Sequence, residues 1–225
     1  MKNNPSFPVD AILLLGPTGA GKTPLGDFIA LRGFLSRRAV HLDFGSELRS
    51  IVAVRGASVA YSPGELKFIH GVLEDGLLLE NEHFSLATKI IRLFLERARF
   101  SSRDVLVLNG IPRHEGQATD IASIARVHSL VVLNCTPEAV FMRIQDNTGG
   151  DRTGREDDER VLIEKKMRIF QERTAPLIEH YERAGCGVYR IEITGRTTTD
   201  AAYEKLSSLA AANPPVSLIT EPPQR

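Results

Sequence analysis

The sequence predicts an α/β fold, a three-layer α/β/α arrangement around a five-stranded parallel sheet. Three observations carry that expectation. Short apolar runs at 11–15, 40–44, 105–108, 130–133 and 188–193 alternate with longer stretches of helical period. The first run, AILLL, is continuously apolar, as in a strand covered on both faces. The composition, 42% hydrophobic and 25% charged over 225 residues, is ordinary for a globular chain able to bury a core. Strand–helix alternation implies right-handed crossovers and a parallel sheet, with ligands beyond the carboxyl ends of the strands.

Taken in order, residues 1–8 carry two prolines and read as a loose lead-in. Helices are expected at 24–34, 46–54, 84–99, 117–126, 138–145, 157–184 and 199–212. Between the second and third runs the apolar stripe Phe84, Ala87, Ile90, Ile91, Phe94 and Leu95 reads as a core face. Two stretches break the alternation: residues 45–76, where helices follow a strand with no new strand after them, and the glycine-rich polar loop at 146–154. Both read as inserted, mobile elements. Residues 213–225, with Pro214, Pro215, Pro222 and Pro223, read as a disordered tail outside the fold.

Charge and cysteine usage exclude several functions. Lys+Arg and Asp+Glu both number 28, so no global field favours nucleic acid or an anionic membrane. No apolar run approaches the roughly 20 residues of a membrane span, and the N-terminus lacks a signal-peptide core. Cys135 and Cys186 have no CxxC spacing, which excludes a disulfide scaffold or thiolate zinc site and fits a reducing compartment. The expectation is a cytoplasmic monomer with neither a nucleic-acid nor a membrane partner. The six histidines are scattered without metal spacing and read as surface or capped residues, His114 alone meriting a test. Cys135 reads as a small buried residue.

Gly16-Pro17-Thr18-Gly19-Ala20-Gly21-Lys22-Thr23 satisfies GxxxxGK[ST], directly after the first strand and directly before a helical pattern. Its glycines let backbone N–H groups converge on phosphate oxygens, and the helix adds its positive end. Lys22 supplies charge to β- and γ-phosphates, and Thr23 offers a hydroxyl to Mg²⁺. The motif predicts nucleotide phosphate binding and a phosphate-loop NTPase type of fold. It does not by itself choose among ATPases, GTPases, switches and kinases.

The second informative stretch is Val105-Leu-Val-Leu-Asn109-Gly110-Ile-Pro-Arg113-His-Glu-Gly-Gln117. A buried strand ends at Asn109, and Gly110 and Pro112 force a turn that projects Arg113 where ligands bind. A guanidinium suits a bidentate grip on phosphate, and the Gln117 amide can read a base edge. Alone, Arg113 reads equally as a surface ion pair and Gln117 as a solvated helix face.

NGIPRHEGQA resembles the DGFPR-xxx-QA signature of adenylate kinases and related nucleoside monophosphate kinases. Gly45-Ser-Glu-Leu-Arg49 is similar to their TGDLLR segment, Gly154-Arg155-Glu-Asp157-Asp158 to the GRxDD that ends the lid, and Thr174-Ala-Pro-Leu-Ile-Glu-His-Tyr181 to TxPLIxYY. The likeness runs from residue 11 to about 209. It implies one kinase domain over 1–212, with a core of 9–44, 77–145 and 156–212, a monophosphate-binding insert at about 45–76 and a short lid at about 146–155. It further implies transfer of the γ-phosphoryl of Mg²⁺-bound ATP to a nucleoside monophosphate, AMP above all. Arg143 would lie over the donor adenine. Gly45, Arg49, Gly110, Arg113 and Gln117 would hold the acceptor. Arg155 would close on the transferring group with Lys166, and Arg152 and Asp158 would support the lid. Thr23 and, through water, Asn109 would serve the magnesium.

Departures from the family pattern are specific. Thr23-Pro24 replaces Gly-Thr after the lysine. Asn109 stands where the family has aspartate, so weaker metal binding is expected. Phe44 replaces a threonine at the acceptor base, Lys166 replaces an arginine, and Asn147 sits where a lid arginine is expected. They leave two alternatives: a kinase for another nucleotide or small metabolite, and a nucleotide-binding regulator with little turnover. Zero net charge speaks against a third, a nucleic-acid-modifying transferase.

Overall fold

A computed structural model describes residues 7–53, 60–75, 81–151, 160–215 and 218. Its five strands are β1 (Val9–Leu15), β2 (Ala39–Asp43), β3 (Val105–Asn109), β4 (Ala125–Cys135) and β5 (Gly187–Ile193). All pair in parallel, in the order β2-β3-β1-β4-β5. The helices are α1 (Lys22–Arg32), α2 (Phe44–Ala53), α3 (Pro63–Asp75), α4 (Phe84–Arg97), α5 (Glu115–Ile121), α6 (Pro137–Gln145), α7 (Arg160–Ile169), α8 (Pro176–Arg183) and α9 (Thr199–Ala212).

Successive β1 side chains point to opposite faces, and this alternation builds the layers. Val9, Ala11, Leu13 and Leu15 join a core with Leu48 of α2, Ile90, Ile91 and Leu95 of α4, Ile121 of α5 and Leu177 of α8. Ile12 and Leu14 face the other way, into a core with Leu25 and Ile29 of α1 and Leu206 of α9. Each fully buried aliphatic side chain contributes about 1.5–3 kcal/mol. The fold class read from the sequence is therefore the observed one.

Two elements differ from the sequence reading. The helix expected at 117–126 ends at Ile121, and β4 begins at Ala125, five residues before the apolar run that announced it. The register slips between Ala11 and Ile12, pairing Val127 and then Ser129 with β1, so His128 is the extra residue of a bulge. Its Nε2 meets Asp10 Oδ1 at 2.8 Å, and Arg37 Nη1 meets Asp10 Oδ2 at 2.9 Å. Of the polar residues that hid the strand, His128 thus joins Asp10 and Arg37 in a cluster on its amino-terminal rim. The expected single helix at 157–184 is α7 and α8 joined by a π-helical turn, Phe170–Thr174, closed by Ala175 N–H donating to the Phe170 carbonyl at 2.8 Å. Pro176 has no N–H to donate and its ring clashes with a carbonyl one turn back, so a straight helix cannot pass this point.

The hydrogen bond from His128 holds the Asp10 carboxyl below its usual value; Arg37 reinforces this, while burial opposes it. A carboxyl lowered in the folded state stabilises the fold above its unfolded pKa, and that contribution is lost as pH falls through the folded value. Asp10→Asn should therefore cost about 1–2 kcal/mol near neutral pH. In urea melts its deficit should shrink as pH falls below the ordinary carboxylate range, where the wild-type carboxyl protonates as well.

Candidate active site

The loop between β1 and α1 brings the phosphate motif to the carboxyl end of the sheet. Gly21 caps α1 at φ 94°, a left-handed conformation that side chains resist. A Cβ on Gly16 would come within 2.9 Å of the Leu133 carbonyl on β4, so glycine lets the loop press against the sheet. Lys22 Nζ donates to the carbonyls of Gly16 and Pro17 at 2.8 and 2.7 Å, folding its ammonium over the loop.

One cleft joins this loop to the end of β3. Gly16, Thr18, Gly19, Gly21, Lys22 and Thr23 form one wall. Gly45, Arg49, Gly110, Arg113 and Gln117 line the other, and Lys166 reaches in from α7. Asn109 and Phe44 also line it. Pro17 and Ala20 do not, and Ala20 is packed in the core at 1% exposure.

The turn after β3 is held from two sides. Gln117 Oε1 accepts the Arg113 N–H at 2.7 Å, and Thr174 Oγ1, from the π-helical turn, donates to the Arg113 carbonyl at 2.8 Å. Burial first, and the nearby Arg173 second, pull the Arg113 pKa below its ordinary value. No carboxylate among the described residues pairs with it. A desolvated cation beside a second cation is an anion site in waiting. Gln117 is 2% exposed, and its carbonyl secures the Arg113 backbone.

Arg143 requires a correction. The resemblance puts it over the donor base; here it is 5% exposed and absent from the cleft wall. Its Nε donates to Gly19 O at 3.1 Å, and its Nη1 to Thr194 O and Thr197 O at 3.1 and 2.7 Å. It braces the phosphate loop against the segment after β5. Arg152, Arg155 and Asp158 lie outside the described residues. His114 is a cap, its Nδ1 accepting the Gln117 N–H at 3.4 Å at the start of α5. The Cys135 thiol is pushed up by burial, away from the reactive thiolate form.

The sequence reading missed Asp43, which lines the cleft at the end of β2. Its Oδ2 accepts from the Thr23 hydroxyl and from Asn109 Nδ2, the latter at 3.1 Å. The signal was present as the residue just before the Phe44-Gly45-Ser-Glu-Leu-Arg49 segment. Arg173 was missed too, hidden in a helical pattern. Among the described residues no group of three or more His, Cys, Asp or Glu is placed to hold a metal. Thr23 and Asp43 instead offer hard oxygen donors beside the phosphate loop. That fits a magnesium ion held mainly by substrate phosphates and water.

No family model matches the chain. Curated relatives do. The chain is 28% identical over 206 residues to an adenylate kinase of Deinococcus radiodurans, covering 88% of this chain and 94% of that one. It is 29% identical over 204 residues to an adenylate kinase of a Synechococcus strain, covering 89% and 98%. To UMP-CMP kinase 1 of Oryza sativa subsp. japonica it is 23% identical over 210 residues, covering 92% and 76%. With relatives aligned along most of its length and a parallel sheet carrying the phosphate loop, the chain is similar to nucleoside monophosphate kinases.

Proposed function

We propose that this phosphotransferase moves the γ-phosphoryl group of ATP to AMP, giving two ADP. The observation that carries the reading is that Lys22 and Thr23 share one cleft with Arg49 and Arg113. One reacting molecule needs the first pair and the other needs the second.

Charge dictates the mechanism. Donor and acceptor phosphates repel each other, so cations must hold both. An oxygen of the acceptor phosphate attacks the γ-phosphorus while the bond to the β–γ bridging oxygen breaks, and that oxygen leaves as part of ADP. Little covalent chemistry falls to the protein; positioning and electrostatics dominate. Lys22 and the loop amides take the β- and γ-phosphates. Arg49 and Arg113 orient the acceptor phosphate, and Lys166 adds positive charge from the third side. Thr23 and Asp43 would hold a magnesium ion, whose charge would offset that of the phosphates. The segment at about 146–155 acts as the lid that keeps water out, with Arg152 and Arg155 within it and Asp158 supporting it from just beyond. The same reading makes the protein a cytoplasmic monomer. No helix among the described residues is long and apolar enough to cross a membrane.

A pyrimidine acceptor is the second reading. The Gln117 carbonyl is committed to Arg113, and a relative is named a UMP-CMP kinase. A coupled assay of ADP formation against AMP, CMP, UMP and GMP separates them. AMP should exceed the others in kcat/KM by about 10-fold or more. Equal rates with CMP or UMP would transfer the assignment to a pyrimidine kinase, and ATP binding without ADP formation would favour a regulator.

A further inference from the structure

We propose that Asp43 supplies the carboxylate that positions the magnesium of bound ATP beside Thr23, with Asn109 serving as the hydrogen-bond donor that orients it. This deepens the phosphotransferase reading and rests on it. The resemblance puts an aspartate at position 109, and the asparagine there predicted weak metal binding. The structure relocates the missing charge. Asp43 and Asn109 are register partners at the ends of β2 and β3, so a carboxylate moved from one to the other stays at the same level of the sheet.

Hydrogen-bond polarity fixes which residue belongs where. Asn109, 3% exposed, has Nδ2 within 3.2 Å of Thr23 Oγ1, 3.1 Å of Asp43 Oδ2 and 3.4 Å of His41 Nε2. His41 Nδ1 lies 2.8 Å from Asp27 Oδ1. A carboxylate only accepts, so Nδ1 carries a proton, and in the neutral ring Nε2 is the acceptor. The ring cannot shift easily: it is wedged over Gly26, where any Cβ would collide with it. Position 109 therefore faces three acceptors. An amide nitrogen brings two protons, enough for the two nearest, Asp43 Oδ2 and Thr23 Oγ1; an aspartate would oppose Asp43 across paired strands with nothing to donate. The Thr23 proton goes to Asp43, which turns the hydroxyl oxygen's remaining lone pair towards the cleft. Asp43 Oδ1 also accepts the Ser46 N–H at 2.8 Å, tying the carboxylate to α2, the helix that carries Arg49.

Mn²⁺ is the probe, its free concentration read by electron paramagnetic resonance in the presence of a non-hydrolysable ATP analogue. Asp43→Asn should weaken Mn²⁺ binding by about 10-fold or more while leaving metal-free binding of the analogue unchanged. The exchange variant Asp43→Asn/Asn109→Asp returns the carboxylate to β3 and should recover most of that loss. It also carries the test if the single variant does not fold. Wild-type Mn²⁺ affinity in folded Asp43→Asn, or an exchange variant that folds yet stays weak, overturns the proposal. A wild-type protein that does not bind the analogue at all overturns the kinase reading and this proposal together, a result distinct from unchanged metal binding with the analogue in place.

Discussion

Lys22→Ala is expected to lower kcat by about 10³-fold or more while leaving a cooperatively folded protein. Its ammonium is the one full positive charge in the phosphate loop, and α1 starts at this residue, so the charge stands where the loop amides converge. Without nucleotide it rests on the carbonyls of Gly16 and Pro17. Gly16 and Pro17 are buried, so water entering the cleft must replace the two contacts, and the melting temperature should fall by about a few degrees. Phosphate binding exchanges those carbonyls for anionic oxygens, a charge-assisted contact that strengthens as the γ-phosphoryl departs. Single-turnover kinetics beside a circular-dichroism melt measure both quantities. A kcat within 10-fold of wild type, in a folded variant, would remove Lys22 from the transition state.

Arg113→Ala should raise the acceptor KM by about 10²-fold and leave ATP affinity nearly unchanged. Its sign on stability is opposite to that of an ordinary core truncation. The Arg113 guanidinium is desolvated and repelled by Arg173, with no carboxylate among the described residues to offset that cost. Removing it should leave the melting temperature level or higher, the pattern of a site that gives up stability for binding. The turn survives because Gln117 and Thr174 grip the backbone of residue 113, not its side chain. Calorimetric titration with AMP and separately with ATP tests the assignment. Equal losses for both ligands would contradict it.

Much of this architecture was legible because its signals are local. The continuous apolar runs of β1 and β3 have no polar alternation to confuse them, and Thr199–Ala212 is a helix with the boundaries its pattern implied. The phosphate motif announces its own backbone shape. What escaped was set by partners distant in sequence. β4 began early because Arg126 and His128 interrupt its apolar run, and only the bulge opposite Asp10 explains a histidine there. The carbonyl partners of Arg143, 124 and 54 positions away for Gly19 and Thr197, could not be read from its helical surroundings. Asp43 was overlooked because an acidic residue ending a strand looks like a cap. Its meaning depends on Asn109, 66 positions on. The asparagine read as a loss is half of an exchange that one residue cannot reveal.

The Asp10–His128–Arg37 cluster and the nucleotide cleft sit at opposite ends of the same central strand, Asp10 near its start and Gly16 just past its finish. At about 3.3 Å per residue the separation is about 20 Å, beyond the range over which substitutions normally couple. Heat tolerance and turnover are thus separately heritable traits in this chain. Selection, or a protein engineer, can toughen the lower rim for a hotter or more acidic setting without retuning the catalyst above it.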